Sequence, residues 1–324
     1  MNGLTLVTGG AGFIGSHVVD ALLYEGGDVR VLDDFSTGKE ENLDTAWRYA
    51  AAYGGGLQVI EADVRDEYRM RDAVDGCDAV VHLAAIPSVA RSFEQPLECN
   101  SVTQGGTVNV VRQAVEVEIP RFVLASSCAV YGDAAVPPIA ETAPVRPLSP
   151  YAAAKLASEE ACASAGDAGQ IAAACLRFFN VYGPRQDPSS EYSGVISRFL
   201  SAAAGHAAVT IYGDGQQTRD FVYVGDVVDA IVGALRRPLT GVAVLNVGSG
   251  RETSLLTLLA EIERCAGVAL ERRWGPPRDG DIRRSCADAR RAQWVLSWSA
   301  ETALEAGLAQ TWEWYRESSA AARE

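Results

Sequence analysis

The sequence predicts an α/β protein built on a doubly wound parallel sheet, with a smaller α/β lobe attached. Three observations carry this. Short runs rich in valine, isoleucine and leucine alternate with amphipathic stretches from the first residues onward, which is the pattern of βαβ units. A glycine-rich loop, Gly9-Gly10-Ala11-Gly12-Phe13-Ile14-Gly15, joins the first such run to the first helical stretch. After about residue 178 the alternation gives way to polar loops and shorter apolar runs.

The elements follow in order. Leu4–Thr8, Val29–Asp33, Leu57–Glu61, Ala79–Ala84, Arg121–Ser126 and Ile171–Arg177 read as strands. Their apolar character on successive residues suits strands covered on both faces. Phe13–Tyr24, Glu67–Val74 and Leu97–Val117 have helical spacing, and Ala46–Gly56 reads as a helix end followed by a glycine-rich loop. Pro150 suits the first position of another helix. Beyond it come a polar loop at Gly183–Ser190, a helix at Gly194–Ala204, a strand at Asp220–Val224, a helix at Val227–Arg236 and an amphipathic C-terminal helix. The expected division is a sheet unit of residues 1–178, with 220–247 returning to it, and a lobe of 179–219 and 248–324 that closes over the sheet's carboxyl edge.

A chain of 324 residues, 48% hydrophobic and 22% charged, can bury a large core. Its net charge of −14 disfavours nucleic acid or an anionic membrane as partner. An anionic small substrate stays compatible, because local arginines can hold it. Seven widely spaced cysteines (77, 99, 128, 162, 175, 265 and 286) without Cys-x-x-Cys suit reduced thiols in the cytoplasm. Three histidines (17, 82 and 206) make a zinc site an unlikely expectation, so no metal is assigned. The first residues lack a charged segment and a long apolar run, so neither a signal peptide nor a membrane span is expected.

The glycine loop has a specific chemistry. Gly10, Gly12 and Gly15 have dinucleotide-binding spacing, and Gly9 adds a second register. Such glycines permit a tight turn, let backbone approach a pyrophosphate and pack helix against strand, while the helix N-terminus favours the anion. Asp33 ends the second strand 18 residues after Gly15, where a carboxylate accepts from ribose hydroxyls. No arginine follows to hold a 2′-phosphate, so NAD is expected over NADP. Asp63 ends the third strand and is a candidate either for the adenine amine or for a helix N-cap.

Tyr151 and Lys155 lie four residues apart and should share one face of the helix that Pro150 opens. A free phenol titrates near ~10, and a neighbouring ammonium favours the phenolate. The pair is therefore a candidate base, although Tyr-x-x-x-Lys on an alanine-rich helix is by itself an ordinary surface pairing.

Several motifs in order give the pair its context: Thr8–Gly15; His82-Leu83-Ala84-Ala85; Ser126-Ser127-Cys128-Ala129-Val130-Tyr131-Gly132; Tyr151-x-x-x-Lys155; Arg177-Phe178-Phe179-Asn180-Val181-Tyr182-Gly183-Pro184; and Arg219-Asp220-Phe221-Val222-Tyr223-Val224. Across essentially its whole length the chain resembles the extended short-chain dehydrogenase/reductases, specifically the nucleotide-sugar epimerases and dehydratases. That resemblance implies a Rossmann-like fold and NAD as cofactor. It implies cofactor contacts from Gly9, Gly12, Phe13, Ile14, Gly15, Asp33, Asp34, Asp63, Val64, Leu83, Ala84, Ala85, Tyr151 and Lys155. Tyr151 would be the base, Lys155 would hold the nicotinamide ribose and lower the phenol's pKa, and Ser127 would bond the sugar O4. Ser88 and Arg91 would border the hexose, Asn180 would reach a diphosphate oxygen, and Arg219 and Arg278 would grip diphosphate and ribose, as guanidinium geometry suits.

Two positions separate the family's chemistries. Its dehydratases follow the Ser/Thr with Asp-Glu and its decarboxylases place a Glu there, since work at C5 needs an acid or base. Here Cys128 and Ala129 stand instead, which implies C4 oxidation and re-reduction of a UDP-hexose, epimerisation without elimination. Ser285 falls where members restricted to unacetylated hexose carry a bulky tyrosine, so its small side chain implies room for 2-acetamido sugars. One departure stands out: where the family carries a cofactor-contacting asparagine, counting back from Gly106 gives Thr103, with Asn100 three positions earlier, so either Thr103 substitutes with one hydroxyl or the local register differs. UDP-glucuronate 4-epimerisation, 4,6-dehydration and 4-keto reduction remain alternatives, and a non-catalytic NAD sensor is opposed by the intact Ser127, Tyr151 and Lys155. A homodimer through helices near 97–117 and 150–165 is a family expectation.

Overall fold

The computed structural model describes residues 3–133, 136–187, 194–277 and 282–321, apart from the side chains of 319–321. The chain begins with three strand–helix units: β1 (Leu4–Thr8), α1 (Phe13–Tyr24), β2 (Asp28–Asp33), α2 (Asp44–Tyr53), β3 (Leu57–Glu61) and α3 (Glu67–Val74). It then crosses to β4 (Ala79–His82), followed by α4 (Val89–Glu94), α5 (Pro96–Asn100), a π turn at Ser101–Gly105, and α6 (Gly106–Glu116). β5 (Phe122–Ser127), α7 (Pro150–Asp167) and β6 (Ala173–Phe178) complete this part. With a later strand, β11, the seven strands lie in the order β11-β6-β5-β4-β1-β2-β3. Every pair is parallel.

The burial pattern explains why these strands read as unbroken apolar runs. Successive residues of a strand face opposite sides. Leu6, Val80, Phe122, Leu124 and Cys175 meet Met70, Val110 and Cys162 on one face. Val7, Val81, Val123 and Leu176 meet Val18, Leu22, Val227 and Ile231 on the other. Both faces are dry, so neither sequence parity is polar.

The remaining elements are β7 (Asn180–Tyr182), α8 (Val195–Gly205), β8 (Val209–Tyr212), β9 (Thr218–Arg219), β10 (Phe221–Tyr223), α9 (Val224–Arg236), β11 (Val242–Val247), β12 (Thr253–Ser254), α10 (Leu255–Ala266), β13 (Arg272–Gly275), α11 (Arg290–Leu296) and α12 (Leu304–Ala321). β11 pairs with β6 at the sheet edge. β7–β10 and β8–β13 are parallel two-stranded ladders, and β9–β12 is antiparallel. A separate core of Tyr182, Phe199, Leu200, Ile211, Leu258, Ile262, Leu308 and Tyr315 joins β7, α8, β8, α10 and α12, while α9, β11 and α11 pack into the core of the sheet.

Three boundaries differ from those expected. The stretch 97–117 is two helices separated by the π turn, because its extra residue swings Thr103 inward. The Thr103 carbonyl there accepts from the Thr107 hydroxyl at 2.6 Å and the Ser158 hydroxyl at 3.3 Å. β4 stops at His82, since Leu83–Ala85 leave the sheet to line a cleft. α9 begins at Val224, directly after β10. All seven cysteines are free thiols. Among the described residues no cluster of His, Cys, Asp or Glu is arranged to hold a metal, and no helix is long and apolar enough to cross a membrane.

Candidate active site

At the carboxyl ends of the strands, across the point where strand order reverses between β1 and β4, lies a cleft of ≈ 270 Å³. This is where open α/β sheets bind ligands. The loop Gly9–Gly15 forms its floor. Gly9 has φ +69°, and a Cβ on Gly15 would sit 2.0 Å from the Gly9 carbonyl oxygen. No larger residue fits that crossing. The result is a shallow backbone cradle ending in the N-terminus of α1, a ready anion site.

The acids behave differently from one another. Asp33 lines the cleft and is buried. Its two oxygens accept from the backbone N–H of Ala11 and Phe35, each at 2.9 Å. Burial raises its pKa, against the pull of those N–H donors. Asp34 also lines the cleft and caps Ser36. Asp63 is engaged otherwise. Arg65 donates to both of its oxygens at 2.9 Å, which lowers the carboxyl's pKa. Val64 and Arg65, not Asp63, line the cleft, and the N-cap of α3 is Asp66. Sequence reading missed Arg65, which also donates to Glu98 at 3.1 Å.

The opposite wall carries Tyr151 and Lys155, with Leu83, Ala84, Ala85, Ala125, Ser126 and Phe178 around them. Ser149 caps α7 by accepting from Ala152 N–H at 3.1 Å, and Pro150 occupies its first turn, so the pair projects from a well-terminated helix. The Ser127 side chain lies near the Tyr151 phenol and favours its ionised form. Lys155, 5% exposed, donates from Nζ to the Ala125 carbonyl at 2.7 Å. The expected depression of the phenol pKa is reversed in this structure. Burial pushes Tyr151 up to about 12, and the opposing influence is Ser127 rather than Lys155. Burial also lowers Lys155 to about 8, countered by Cys99 and Glu159.

Behind this pair stand residues the motif reading quoted without assigning. Glu159 lies one turn beyond Lys155 on the same face and takes the Ser126 hydroxyl. Arg177 donates to it from Nε at 2.8 Å and from the terminal nitrogen at 2.6 Å. The signal for Glu159 was its i+8 spacing from Tyr151. A second signal also went unused: the chain has only two lysines, Lys39 and Lys155. Where nearly all fixed cations are arginine, a buried lysine marks a place for a compact ammonium.

Of the described residues expected to meet substrate, Arg91 lines the cleft, and Ser88, Ser127, Asn180, Arg219 and Ser285 do not. Ser88 is buried as the N-cap of α4, accepting from Arg91 N–H at 3.0 Å. Asn180 opens β7, and its N–H donates to the Asp220 carbonyl at 2.9 Å. Arg219 lies on β9 and donates to the carbonyls of Thr218 and Ile282 at 2.8 and 2.6 Å. Ser285 is buried near Cys128, whose thiol burial pushes up to about 12. A neutral thiol and the methyl of Ala129 therefore follow Ser127. Thr103, 1% exposed, faces inward beside Cys99, while Asn100 is exposed, so the inward register belongs to Thr103. Arg278 lies outside the described residues.

A family model described as NAD dependent epimerase/dehydratase family matches residues 5–248. A UDP-glucose 4-epimerase of Mycolicibacterium smegmatis is 40% identical over 317 residues, 97% of this chain and 99% of that protein. Among solved structures, a UDP-glucose-4-epimerase from Stenotrophomonas maltophila, with bound NAD and formylated UDP-arabinopyranose, superposes with a TM-score of 0.92. It is 33% identical and covers 99% of both chains. A UDP-N-acetylglucosamine 4-epimerase from Methanobrevibacter ruminantium, in complex with UDP-N-acetylmuramic acid, has a TM-score of 0.91 at 32% identity. It covers 98% of this chain and 99% of its own.

Proposed function

The chain belongs to the NAD dependent epimerase/dehydratase family, and from that premise we propose that it interconverts the C4 epimers of a UDP-hexose. The observation that carries the reading is the cleft itself. Its glycine cradle and buried Asp33 face the Tyr151–Lys155 wall across the sheet's switch point. The residues fit the cofactor: Gly9, Gly12, Phe13, Ile14 and Gly15 for the pyrophosphate, Asp33 and Asp34 for the adenosine ribose, Lys155 for the nicotinamide ribose. NAD bound there would supply the hydride acceptor and donor for C4. With Asp63 held by Arg65, the adenine pocket is assigned to Val64 and Arg65 in addition.

Tyr151 takes the C4 hydroxyl proton and later returns it. Ser127, which favours the ionised phenol, holds O4 and passes the proton along. Cys128 stays protonated at working pH and Ala129 has no acid–base chemistry, so nothing beside C5 drives elimination. Arg219, Asn180 and Arg278 hold the diphosphate, and the hexose turns about that anchor. The small Ser285, next to Cys128, supports acceptance of 2-acetamido sugars, because a tyrosine there would fill the space. The two-lobed division at 178, with 220–247 returning to the sheet, belongs to the same reading. Leu97 and Val108, 86% and 47% exposed, support a homodimer through the helices near 97–117 and 150–165. A sedimentation mass equal to one chain would refute the dimer.

The test is turnover of UDP-glucose, UDP-galactose, UDP-GlcNAc, UDP-GalNAc and UDP-glucuronate by purified protein, with the C4 configuration of the product read by NMR. Inversion at C4 is expected for the neutral hexoses and for at least one acetamido pair. A 4-keto-6-deoxy product, or a requirement for added NADPH, would replace the epimerase reading. Absence of acetamido turnover would remove the role given to Ser285.

A further inference from the structure

Two successive residues at the end of β5 are each held by one of two successive turns of α7. The Ala125 carbonyl takes Lys155 and the Ser126 hydroxyl donates to Glu159, and the next residue, Ser127, is the one that influences the Tyr151 phenol. Glu159 is in turn gripped by Arg177 on β6, the neighbouring strand, and both side chains are 6% exposed. The Arg177 guanidinium lies over the Tyr131 ring at 4.8 Å, and the Tyr131 hydroxyl donates to Asn246 at 2.6 Å. Every polar end of this chain is engaged.

A buried ion pair is a weak source of stability, since desolvation opposes its attraction and apolar residues of the same volume do as well or better. Its location is the informative feature. It sits directly behind the proposed base, on the helix face that carries Tyr151 and Lys155, and touches the residue between Ala125 and Ser127. We propose that Glu159, locked by Arg177, is a positioning residue for the proposed reaction: it fixes the β5 end against α7 so that Ser127 and Tyr151 stay aligned, and its carboxylate holds Lys155 as the cation. This rests on the epimerase reading for its first half only.

The charged and titratable groups acting on the Lys155 ammonium are few. Glu159 lies on its own helix, Cys99 comes from α5, and His82 on β4 is neutral because burial lowers its pKa to about 3. The Lys155 charge itself adds to that lowering. Removing the Glu159 charge takes away one influence that favours the ammonium, so Lys155 should lose its proton at lower pH.

Because the chain has two lysines, ¹³Cε-lysine labelling gives two resonances, and Lys39→Arg assigns them. Wild-type Lys155 should titrate near pH 8, and Glu159→Gln should move that midpoint to lower pH. An unmoved midpoint overturns the electrostatic half of the proposal. Should Glu159→Gln fail to fold, Glu159→Gln with Arg177→Met removes the charge without stranding the arginine. Ser126→Ala keeps the ion pair and cuts only its tie to the strand. It should lower kcat by about tenfold, the scale of a small misplacement, with unchanged KM and an unfolding temperature close to wild type. Wild-type kcat in Ser126→Ala, or a kcat loss matched by loss of folded protein, overturns the positioning half. If the wild type turns over no nucleotide sugar, the proposed function fails, while the lysine titration still decides the charge role.

Discussion

The two ends of the cleft are built to different standards of rigidity. The proposed chemical end sits on a central strand of the sheet and an 18-residue helix. Its polar groups are buried and bonded: Lys155 to Ala125, Glu159 to Ser126 and Arg177, Tyr131 to Asn246. The proposed recognition end rests on strands of two to four residues and on connecting loops. Its ion pairs, Arg283–Asp214 and Arg284–Glu252, are largely solvated, and such pairs contribute at most about 1 kcal/mol. Proton transfer needs atoms held within a fraction of an ångström, and a hexose that presents both faces needs a looser wall. The contrast is what C4 epimerisation requires.

The sharpest way to break the contrast is at the base. Tyr151→Phe removes the phenolic oxygen and little else. It should lower kcat about 10³-fold, within the range for a positioned acid–base group, while the KM for nucleotide sugar stays within about twofold. Steady-state kinetics on the preferred UDP-sugar reads both. Substantial retained turnover would move the chemistry away from α7 and erase the distinction between the two ends.

The converse substitution lies in the proposed recognition end. Arg219→Ala should leave kcat within a few-fold and raise KM about 10–100-fold, the cost of a charged hydrogen bond. Arg219→Lys should fall between, because it keeps charge without the planar fork. If Arg219→Ala lowered kcat and left KM alone, the recognition end would be part of the chemistry. Circular dichroism of the variant separates this from local collapse, since Arg219 also donates to Ile282.

How much of this was readable in the sequence differs between the same two ends. The sheet was legible because both faces of each strand are buried, so Leu6 and Val7, or Val80 and Val81, are apolar in succession. The glycine loop was legible because its backbone crossing at Gly9 and Gly15 tolerates no other residue. The π turn was not, since Ser101–Gly105 differs from regular helix by one residue per turn and by no side-chain chemistry. The Tyr151 pKa was read with the wrong sign, because a motif shows Lys155 four residues away and not the burial around the phenol. Asp63 was read as a candidate for the adenine amine or for a helix N-cap; the structure pairs it with Arg65, two residues on, and gives the cap to Asp66. Ser88, expected to border the hexose, caps a helix with its hydroxyl, a local role that its motif does not show.

The smallest expected effect lies at the joint between the two ends, where residues 184–187 are strapped to the N-terminal half. His17 Nε2 meets the Pro184 carbonyl at 3.0 Å, Arg185 pairs with Asp20 at 2.7 Å, and Lys39 pairs with Asp187 at 2.9 Å. The strap is imperfect: Asp20 Oδ1 and one terminal nitrogen of Arg185 are buried without partners. Burial, with Arg185 nearby, lowers His17 from 6.5 to about 4. An unfolded histidine binds a proton below about 6.5, whereas the folded one does so only near 4. The unfolded chain therefore holds more protons in that window, and stability falls as pH drops from 6.5 towards 4. His17→Gln keeps an N–H donor for Pro184 and has no proton to gain. Relative to wild type it should flatten the loss of unfolding temperature between pH 6.5 and 4.5 by about 2–4 °C, the scale of 1 kcal/mol in a large domain. Calorimetry at the two pH values reads the difference. An equal slope in both proteins would place the acid sensitivity in His82 or the carboxylates, and would leave the joint as firm as the chemical end.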